Sequence, residues 1–312
     1  MFFNIFYCLL VLSVSRIDCH QFRYDYNYNQ DIQSWIKLHQ VPATWMDARL
    51  RCQLEGANLA SPHSTRFTYV MMDVLKNTHA ELTGIFTGVH ATFSQGDFHS
   101  VEGIPLTKMP VQWMAYEPDN KQNNENCIVM NSKGTISDVN CNEVFPYICY
   151  RNKSENDVLT ECGTIDKEYH LEPQTGNCYK FHHIARNFTR AFMTCAAEGA
   201  YLAIINSETE AKIIKELFAK YPHNSLRFTH HKHVAFVGLN DWGERNVWTT
   251  VHGQAIEDAG YWTFENGQPD EARPGEFCGA VFRSGKLDDF WCNERAAFIC
   301  EKTVDSLLGD SE

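Results

Sequence analysis

Several features that mark large protein classes are missing from this sequence. The 312-residue chain has a formal net charge of −12 and no cluster of lysines and arginines, which disfavours nucleic acid as a partner because phosphate binding needs such clusters. Beyond the N-terminal region no segment reaches about 18 consecutive apolar residues, so we expect no membrane span in the mature chain. No CxxC pair and no HExxH motif occurs, which argues against zinc.

The common sequence signatures of enzymes are also missing. The chain has no Walker loop, no nucleophile elbow and no dinucleotide-binding fingerprint. Paired carboxylates can serve glycosidases as acid and nucleophile or base. That chemistry needs two carboxyl groups in a cleft, whereas here a larger acidic set recurs twice within loops. We therefore predict that the protein is not an enzyme.

The N-terminus and the cysteines together indicate an exported protein. Residues 1–19, "MFFNIFYCLLVLSVSRIDC", begin with an apolar run that is too short to span a bilayer, and we predict a signal peptide there. The alternative is a buried N-terminal strand. After cleavage ten of the twelve cysteines remain, an even number that predicts five disulfides in a secreted chain. A hydrophobic content of 44% predicts packed globular cores.

An internal repeat divides the chain. "GANLA" at 56–60 matches "GAYLA" at 199–203 at an offset of 143, whereas Cys127, Cys141 and Cys149 match later cysteines at an offset of 151. The second half therefore carries eight extra residues, which we place in the polar, histidine-rich stretch 221–233. Its histidines could bind a metal, but an exposed loop is the preferred interpretation.

The repeat also predicts the domain boundaries. After the signal peptide we expect a first domain at 20–150, a polar linker at 151–160, a second domain at 161–302 and a short acidic tail at 303–312.

Each half opens with two helix patterns and continues with short strands and long loops. Ser61 and Pro62 fit a cap and first helical position for the second helix of domain one, and "SETE" at 207–210 fits a capping box in domain two. Helices followed by strands and loops predict an α+β fold with the functional residues on the loops. The predicted apolar helix faces are Trp45, Ala48 and Cys52; Phe188, Ala191 and Cys195; Phe67, Val70, Met71, Val74 and Leu75; and Ile213, Ile214, Leu217 and Phe218.

Two acidic stretches, "YEPDNKQNNENC" at 116–127 and "GQPDEARPGEFC" at 267–278, recur 151 residues apart. In each half the two cysteines that flank a later acidic residue are 14 apart, and a disulfide between them would bring early and late oxygen ligands together. Calcium takes six to eight oxygen ligands in irregular geometry, which suits these sets better than magnesium would. The predicted metal ligands are Glu117, Asp119, Glu125, Ser137 and Asp138 in domain one, and Gln268, Asp270, Glu276, Asp288 and Asp289 in domain two.

The motifs, taken in order, resemble those of C-type lectin domains. They comprise "W-x-x-A-R-x-x-C", "G-A-x-L-A", an E-P-D or Q-P-D triplet, a glutamate two residues before a cysteine, an aspartate three before the next, and a closing "Y/F-I-C". The resemblance covers nearly the whole mature chain, twice. Two such domains behind a signal peptide are similar to the insect immulectins, a group also described as haemolymph lipopolysaccharide-binding proteins.

The resemblance implies a disulfide pattern, a sugar-binding calcium ion and a biological role. Pro118 and Pro269 would follow cis peptide bonds, and calcium would bind two vicinal sugar hydroxyls. The implied role is recognition of microbial surface polysaccharide or lipopolysaccharide in haemolymph, with opsonisation, haemocyte encapsulation and prophenoloxidase activation as consequences. The implied pairs are Cys52–Cys149, Cys127–Cys141, Cys162–Cys178, Cys195–Cys300 and Cys278–Cys292, of which Cys162–Cys178 would staple an N-terminal hairpin that domain one lacks.

The sequence departs from the family pattern at the sugar contacts. In the family E-P-N accompanies mannose-type sugars and Q-P-D galactose-type sugars; domain two has Q-P-D, whereas domain one has the hybrid E-P-D. Neither Asp119 nor Ser137 supplies an amide donor, and Asp288 stands where the family usually has asparagine. We therefore expect both domains to bind calcium, with sugar preferences that are atypical, especially in domain one. The predicted sugar-binding residues are Glu117, Asp119, Glu125, Gln268, Asp270, Glu276 and Asp288.

Two further expectations follow from the sequence. Asn152 in "NKS" and Asn187 in "NFT" are glycosylation sequons. A different function class also remains open, namely a calcium-independent protein-binding domain of the same fold, and the missing amide donors are its main support.

Overall fold

A computed structural model describes residues 22–78, 82–154, 158–272 and 274–308. The predicted signal peptide and the last four residues of the predicted tail lie outside these ranges. No helix within them is long and apolar enough to cross a membrane.

In the part of the first half that the structure describes there are nine strands and two α-helices, besides two 3-10 turns. The strands are β1 (Asn27–Asn29), β2 (Ser34–Ala43), β3 (Asn58–Leu59), β4 (Ile85–His90), β5 (His99–Ser100), β6 (Gln112–Trp113), β7 (Cys127–Met130), β8 (Thr135–Val139) and β9 (Phe145–Asn152), and the helices are α1 (Trp45–Leu54) and α2 (Thr65–Lys76). Strand β9 thus extends two residues into the predicted linker.

Over its described residues the second half repeats this order without a counterpart of β6, and it has a short helix where the first half has a 3-10 turn at Leu106–Lys108. Its strands are β10 (His170–Glu172), β11 (Asn177–Arg186), β12 (Tyr201–Leu202), β13 (Val234–Asn240), β14 (Thr249–Thr250), β15 (Cys278–Phe282), β16 (Leu287–Phe290) and β17 (Ala296–Lys302), and its helices are α3 (Phe188–Ala197), α4 (Glu208–Ala219) and α5 (Ile256–Ala259). Each half is therefore α+β, as the sequence predicts.

The sheets of the two halves share one topology. The main strand order is β1-β2-β9-β4-β7-β8-β6 in the first half and β10-β11-β17-β13-β15-β16 in the second. The central contact is parallel in both, β4 with β9 and β13 with β17, and the acidic loops enter the antiparallel pairs β7–β8 and β15–β16. The loops that carry the candidate ligands therefore stand on a rigid sheet.

The predicted apolar helix faces are buried, with Val74 partly buried against the same core. The predicted start of α2 is wrong. Its cap is Ser64, whose hydroxyl accepts a hydrogen bond from the Phe67 N–H at 3.2 Å. Ser61 lies outside the helix, and its hydroxyl donates instead to Glu102 at 2.8 Å. In domain two Ser207 caps α4 as expected.

The expectation that domain one lacks the N-terminal hairpin is also wrong. Strands β1 and β2 pair Asn27 with Ile36, as β10 and β11 pair His170 with Tyr179. The hairpin of domain one lacks only the equivalent of the Cys162–Cys178 disulfide. In its place, Trp35 packs against the Tyr28 ring at a centroid distance of 5.0 Å. An aromatic pair thus stabilises one hairpin and a covalent link the other.

Five disulfides connect the ten cysteines in the pairs that the resemblance implies. They are Cys52–Cys149, Cys127–Cys141, Cys162–Cys178, Cys195–Cys300 and Cys278–Cys292.

Most of the extra length in domain two lies in 221–233, but the loop there is not simply exposed. Helices α2 and α4 begin 143 residues apart, whereas Phe86 of β4 and Phe236 of β13 pair with equivalent partners and are 150 apart. Seven of the eight added residues therefore precede β13. Leu226 is buried in the core, and Arg283 donates to the carbonyls of residues 221 and 232, so the loop folds back onto the domain.

The two domains contact each other through their chain ends. The Arg23 guanidinium donates to the Ala197 carbonyl at 2.8 Å, at the end of α3, and the Tyr24 N–H donates to the Leu307 carbonyl at 3.0 Å. The described part of the predicted tail, residues 303–308, is therefore docked between the domains.

Gly199 allows this close packing. Its φ is +73°, and a Cβ there would lie 2.2 Å from the Leu307 side chain. Leu307 is accordingly buried.

Candidate metal centres

The acidic loop of domain one gathers carboxylates at the edge of the sheet. The Glu117–Pro118 peptide bond is cis, and oxygen atoms of Glu117, Asp119 and Asp138 lie within 4.8 Å of one another. Asp138, on β8, accepts hydrogen bonds from the N–H groups of Asp119 at 3.2 Å and Asn120 at 3.1 Å. The late aspartate therefore fixes the backbone that follows the cis-proline.

The acidic loop of domain two has the same construction. The Gln268–Pro269 bond is cis, and oxygen atoms of Asp270, Glu276 and Asp289 lie within 4.8 Å of one another. Asp289, on β16, accepts from the N–H groups of Asp270 at 3.1 Å and Glu271 at 3.0 Å. The two loops share the cis-proline and the strand aspartate, but the close carboxylate set includes Glu276 in domain two and not its equivalent Glu125 in domain one. We call each set the carboxylate cage of its domain.

Several oxygens of these cages are buried without a hydrogen-bond donor. They are Glu117 Oε2, Gln268 Oε1 and Asp288 Oδ1. A buried oxygen without a partner is costly, and each is a hard ligand of the kind that calcium prefers. The donor chemistry of both cages therefore fits a calcium ion.

The carboxylates perturb one another's protonation. Burial, followed by the hydrogen bond and the charge of Asp138, raises the pKa of Glu117 to about 7. Burial, followed by the charges of Asp289, Glu276 and Asp270, raises the pKa of Asp288 to about 8. Burial and Asp119 also raise the pKa of Glu125. A divalent cation would relieve this repulsion and displace protons.

Both cages open onto cavities, although not every predicted ligand faces one. In domain two all five predicted ligands line a cavity of about 310 Å³. In domain one Asp119, Glu125 and Asp138 line a cavity of about 510 Å³, which extends over apolar side chains such as Trp113. Ser137 is buried on β8 and is not part of that lining.

Comparison with known proteins identifies these loops. Residues 41–151 and residues 184–302 each match the lectin C-type domain family. The chain belongs to the C-type lectin domain family. Each carboxylate cage lies within one of the two matched C-type lectin domains, and together the two matches cover most of the chain.

Individual relatives are similar over part of their length. A haemolymph lipopolysaccharide-binding protein of Periplaneta americana is 32% identical over 143 residues, which are 46% of this chain and 55% of that protein. The human C-type mannose receptor 2 is 22% identical over 295 residues, 88% of this chain and 18% of the receptor. The chain thus spans about half the length of the cockroach relative and a smaller part of the receptor. Among solved structures, the mouse scavenger receptor C-type lectin carbohydrate-recognition domain is 27% identical with a TM-score of 0.37, covering 44% of this chain and 97% of that one.

Arg245, which was not predicted from the sequence, stabilises the cage of the second C-type lectin domain. The Arg245 guanidinium lies 2.7 Å from Asp241 Oδ2 and 3.0 Å from Glu271 Oε2, and it donates to the Glu276 carbonyl at 3.2 Å. It thereby ties β13 to both sides of the acidic loop. The signal in the sequence is an acid–base pair four residues apart in "NDWGER", which is too common to single out alone.

The histidine-rich loop also reaches the second cage. His230, His231 and His233 line the same cavity as Asp270 and Asp289, and the His231 ring packs on Phe290 at a centroid distance of 4.9 Å. Among the described residues, no group that could hold a metal includes these histidines. The loop therefore shapes the rim of the second cavity, which the first C-type lectin domain builds without it.

Proposed function

We propose that this chain is a secreted, calcium-dependent, carbohydrate-binding pattern-recognition lectin of innate immunity. The single observation that carries the proposal is the duplicated carboxylate cage, in which a cis-proline loop and a strand aspartate converge and leave buried oxygens without donors. The proposed calcium ligands are the ten residues predicted from the sequence, of which Glu117 and Ser137 do not line the cavity of domain one.

Calcium, when bound, would supply coordination sites for two vicinal sugar hydroxyls. The chain's own carboxylates would accept the protons of those hydroxyls, and Gln268 would supply the one amide donor among the proposed ligands. We expect calcium dissociation constants of about 10⁻⁴–10⁻³ M, as in other extracellular modules, and the carboxylates should not weaken calcium binding because they replace neutral oxygens. We expect weaker sugar binding in domain one than in domain two.

The proposed ligand is a repetitive microbial surface glycan such as lipopolysaccharide. Support comes from the similarity to the cockroach relative, a haemolymph lipopolysaccharide-binding protein. Two weak sites on one chain gain strength by avidity when the target repeats. This favours surfaces over free monosaccharides.

The test is retention of the full chain on beads that carry mannose, galactose or lipopolysaccharide, followed by elution with a calcium chelator. We expect retention on at least one matrix and release by the chelator. Retention that resists the chelator on every matrix, or no retention at all, would exclude the proposed function.

Matched variants distinguish the effect of disrupting a cage from the effect of removing any one negative charge. Asp138→Asn and Asp289→Asn remove the aspartate that fixes each loop, and we expect each to abolish the contribution of its own domain. Asp73→Asn and Asp258→Asn remove one exposed carboxylate each outside the cages and should leave retention unchanged.

A calcium-independent protein-binding function is the second candidate. The observation that favours it is the shortage of amide donors, since Asp119 and Asp288 accept hydrogen bonds but, when ionised, donate none. Retention of a haemolymph protein in the presence of chelator, without any glycan retention, would favour it.

A further inference from the structure

A groove of about 590 Å³ runs between the two domains, away from both cages. Helix α1 of domain one forms one wall, and the end of β11 with the start of α3 forms the other. Helices α1 and α3 contact each other directly. The groove exists only because the domains are docked.

The groove is basic in an acidic protein. Its lining contains four arginines, Arg49, Arg186, Arg190 and Arg295, and one carboxylate, Asp47, so its net charge is +3 where the whole chain carries −12. Arg190 forms an ion pair with Asp47 across the domains.

The other three arginines have no ion-pair partner among the described residues, and Arg49 Nε is buried without a hydrogen-bond acceptor. Burial, followed by repulsion from Arg190 and Arg295 and opposed by Glu198, lowers the pKa of Arg186. An anion in the groove would relieve this repulsion.

The rim of the groove is apolar and exposed. Met46, Ile184 and Phe228 line it with 58%, 45% and 69% of their surface accessible. Phe228 has a φ of +62°, a backbone conformation that is rare for a bulky residue and that presents its ring to solvent. Clustered cations beside exposed apolar side chains suit a ligand that is both anionic and amphiphilic.

We propose that this interdomain groove binds the phosphorylated glycolipid headgroup of lipopolysaccharide, without calcium. Guanidinium groups bind phosphate through paired charge-assisted hydrogen bonds, and Met46 and Phe228 would contact the first methylenes of the acyl chains. The inference rests on the proposed function for its ligand class. It adds a second site, which would bind phosphate and lipid, whereas the cages would bind sugar.

Asn187 lies in the groove lining and belongs to a glycosylation sequon. Its Oδ1 caps α3 by accepting from the Arg190 N–H at 3.0 Å, so the cap occupies the oxygen and not the amide nitrogen to which a glycan attaches. A glycan there would cover the groove. Thr189→Ala removes the sequon and keeps the cap.

The experiment measures binding of the full chain, in chelator, to phosphatidylcholine vesicles that contain diphosphoryl lipid A, monophosphoryl lipid A or neither. Wild type and Thr189→Ala are both tested. We expect binding to diphosphoryl vesicles that exceeds binding to monophosphoryl vesicles and is absent from plain vesicles. Binding by Thr189→Ala alone would support the groove and show that the glycan covers it.

A charge-matched pair of variants locates the site. Arg186→Gln with Arg295→Gln should weaken binding about tenfold or more, because two charge-assisted contacts are lost. Arg66→Gln with Lys76→Gln makes the same charge change on an exposed surface of α2 and should leave binding within about twofold of the parent.

Three results would overturn the proposal. They are no chelator-resistant binding by either parent protein, equal losses in the groove and control variants, and full competition by millimolar inorganic phosphate, which would assign the groove to the free ion. None of them touches the proposed function, because calcium-dependent glycan retention is measured separately with the cage variants.

Discussion

At the scale of single residues, Asp119 determines what the first cage can hold. Its carboxylate lies with Glu117 and Asp138 around one point, and it accepts from the Lys121 N–H at 3.3 Å. A carboxylate strengthens the attraction for a divalent cation, but it cannot donate a hydrogen bond to a sugar hydroxyl. We therefore expect Asp119 to favour the binding of calcium over the binding of sugar.

Asp119→Asn should improve sugar binding by domain one. The amide restores a neutral donor beside the metal, and such a hydrogen bond contributes about 0.5–1.5 kcal/mol, so we expect a gain of up to about tenfold in sugar affinity. Calcium affinity should fall modestly, because one charged ligand becomes neutral. Calorimetry on the full chain with the second cage removed by Asp289→Asn measures both. Unchanged sugar affinity would show that the donor does not limit binding.

Buried carboxylates of a second kind stabilise each domain near the junction. Glu55 accepts from the Tyr26 hydroxyl at 2.7 Å and contacts Lys37 and His39, and Glu198 is placed in the same way in domain two. Burial opposes ionisation, but the hydrogen bond and charge of His39, with the charges of Arg23 and Lys37, outweigh it and hold the pKa of Glu55 well below its ordinary value.

Glu55 should therefore make the protein sensitive to acid. A lowered pKa means that the folded chain binds fewer protons than the unfolded chain, so this stabilisation is present above the ordinary glutamate pKa and is lost as pH falls below it. Glu55→Gln should cost about 1.5–3 kcal/mol at pH 7 and flatten the acid dependence. Urea unfolding at pH 7 and at pH 3 tests this, with the exposed Glu216→Gln as control. A variant as acid-sensitive as wild type would refute the assignment.

At the scale of elements, the two cages share a scaffold but differ in what holds the loop. In domain two Arg245 connects Asp241, directly after β13, to Glu271 and the Glu276 carbonyl of the acidic loop. Domain one has a neutral contact instead, from the Gln95 amide to the Asn123 carbonyl at 3.1 Å. The Arg245 guanidinium thus holds the acidic loop of domain two, and the Gln95 amide contacts that of domain one.

Arg245→Gln should weaken calcium binding in domain two several-fold and leave domain one unchanged. Without the guanidinium, Asp241 and Glu271 lose a charged partner, and the backbone that carries Glu276 is less well fixed. Calcium titrations in Asp138→Asn and Asp289→Asn backgrounds report the two domains separately. Arg227→Gln, a charge-matched change on the exposed part of the inserted loop, should have little effect on calcium affinity. An equal loss of calcium affinity in both variants would contradict the proposed role of Arg245.

At the scale of the whole molecule, the docked chain ends make one unit of two domains. Tyr24 at the start of domain one bonds to the Leu307 carbonyl, and Ser306 donates to the Gly199 carbonyl at 2.8 Å. Leu307 is buried where these segments meet. The groove proposed for the phosphorylated headgroup depends on this docking.

Opening the junction should uncouple the domains. We expect wild type to unfold in one calorimetric transition and Leu307→Asp to show two, because burying a leucine side chain contributes about 1.5–3 kcal/mol and an aspartate there would lose it. Leu308→Asp, at a site that is 41% exposed, is the control. Two transitions already in wild type would show that the contact is too weak to couple the domains.

The repeat, the α+β class, the apolar helix faces and the set of candidate ligands could all be predicted from the sequence. These features have local signals: a fixed offset, a helical period, or motifs of adjacent residues such as Q-P-D. The start of α2 and the first hairpin were predicted wrongly, because Ser61 and Ser64 are both plausible caps and a hairpin closed by Trp35 and Tyr28 carries no cysteine signal.

The meeting of residues that are distant in the sequence could not be predicted and is seen in the folded chain. The convergence of Asp138 on the loop after Pro118, the Arg245 brace, the histidines at the second cavity and the basic interdomain groove all join positions from separate elements. No period or motif links such positions, because they become neighbours only when sheets form and the two domains dock. Asp119 could be chosen from the sequence, whereas the groove that Arg186 shares with Arg49 could not.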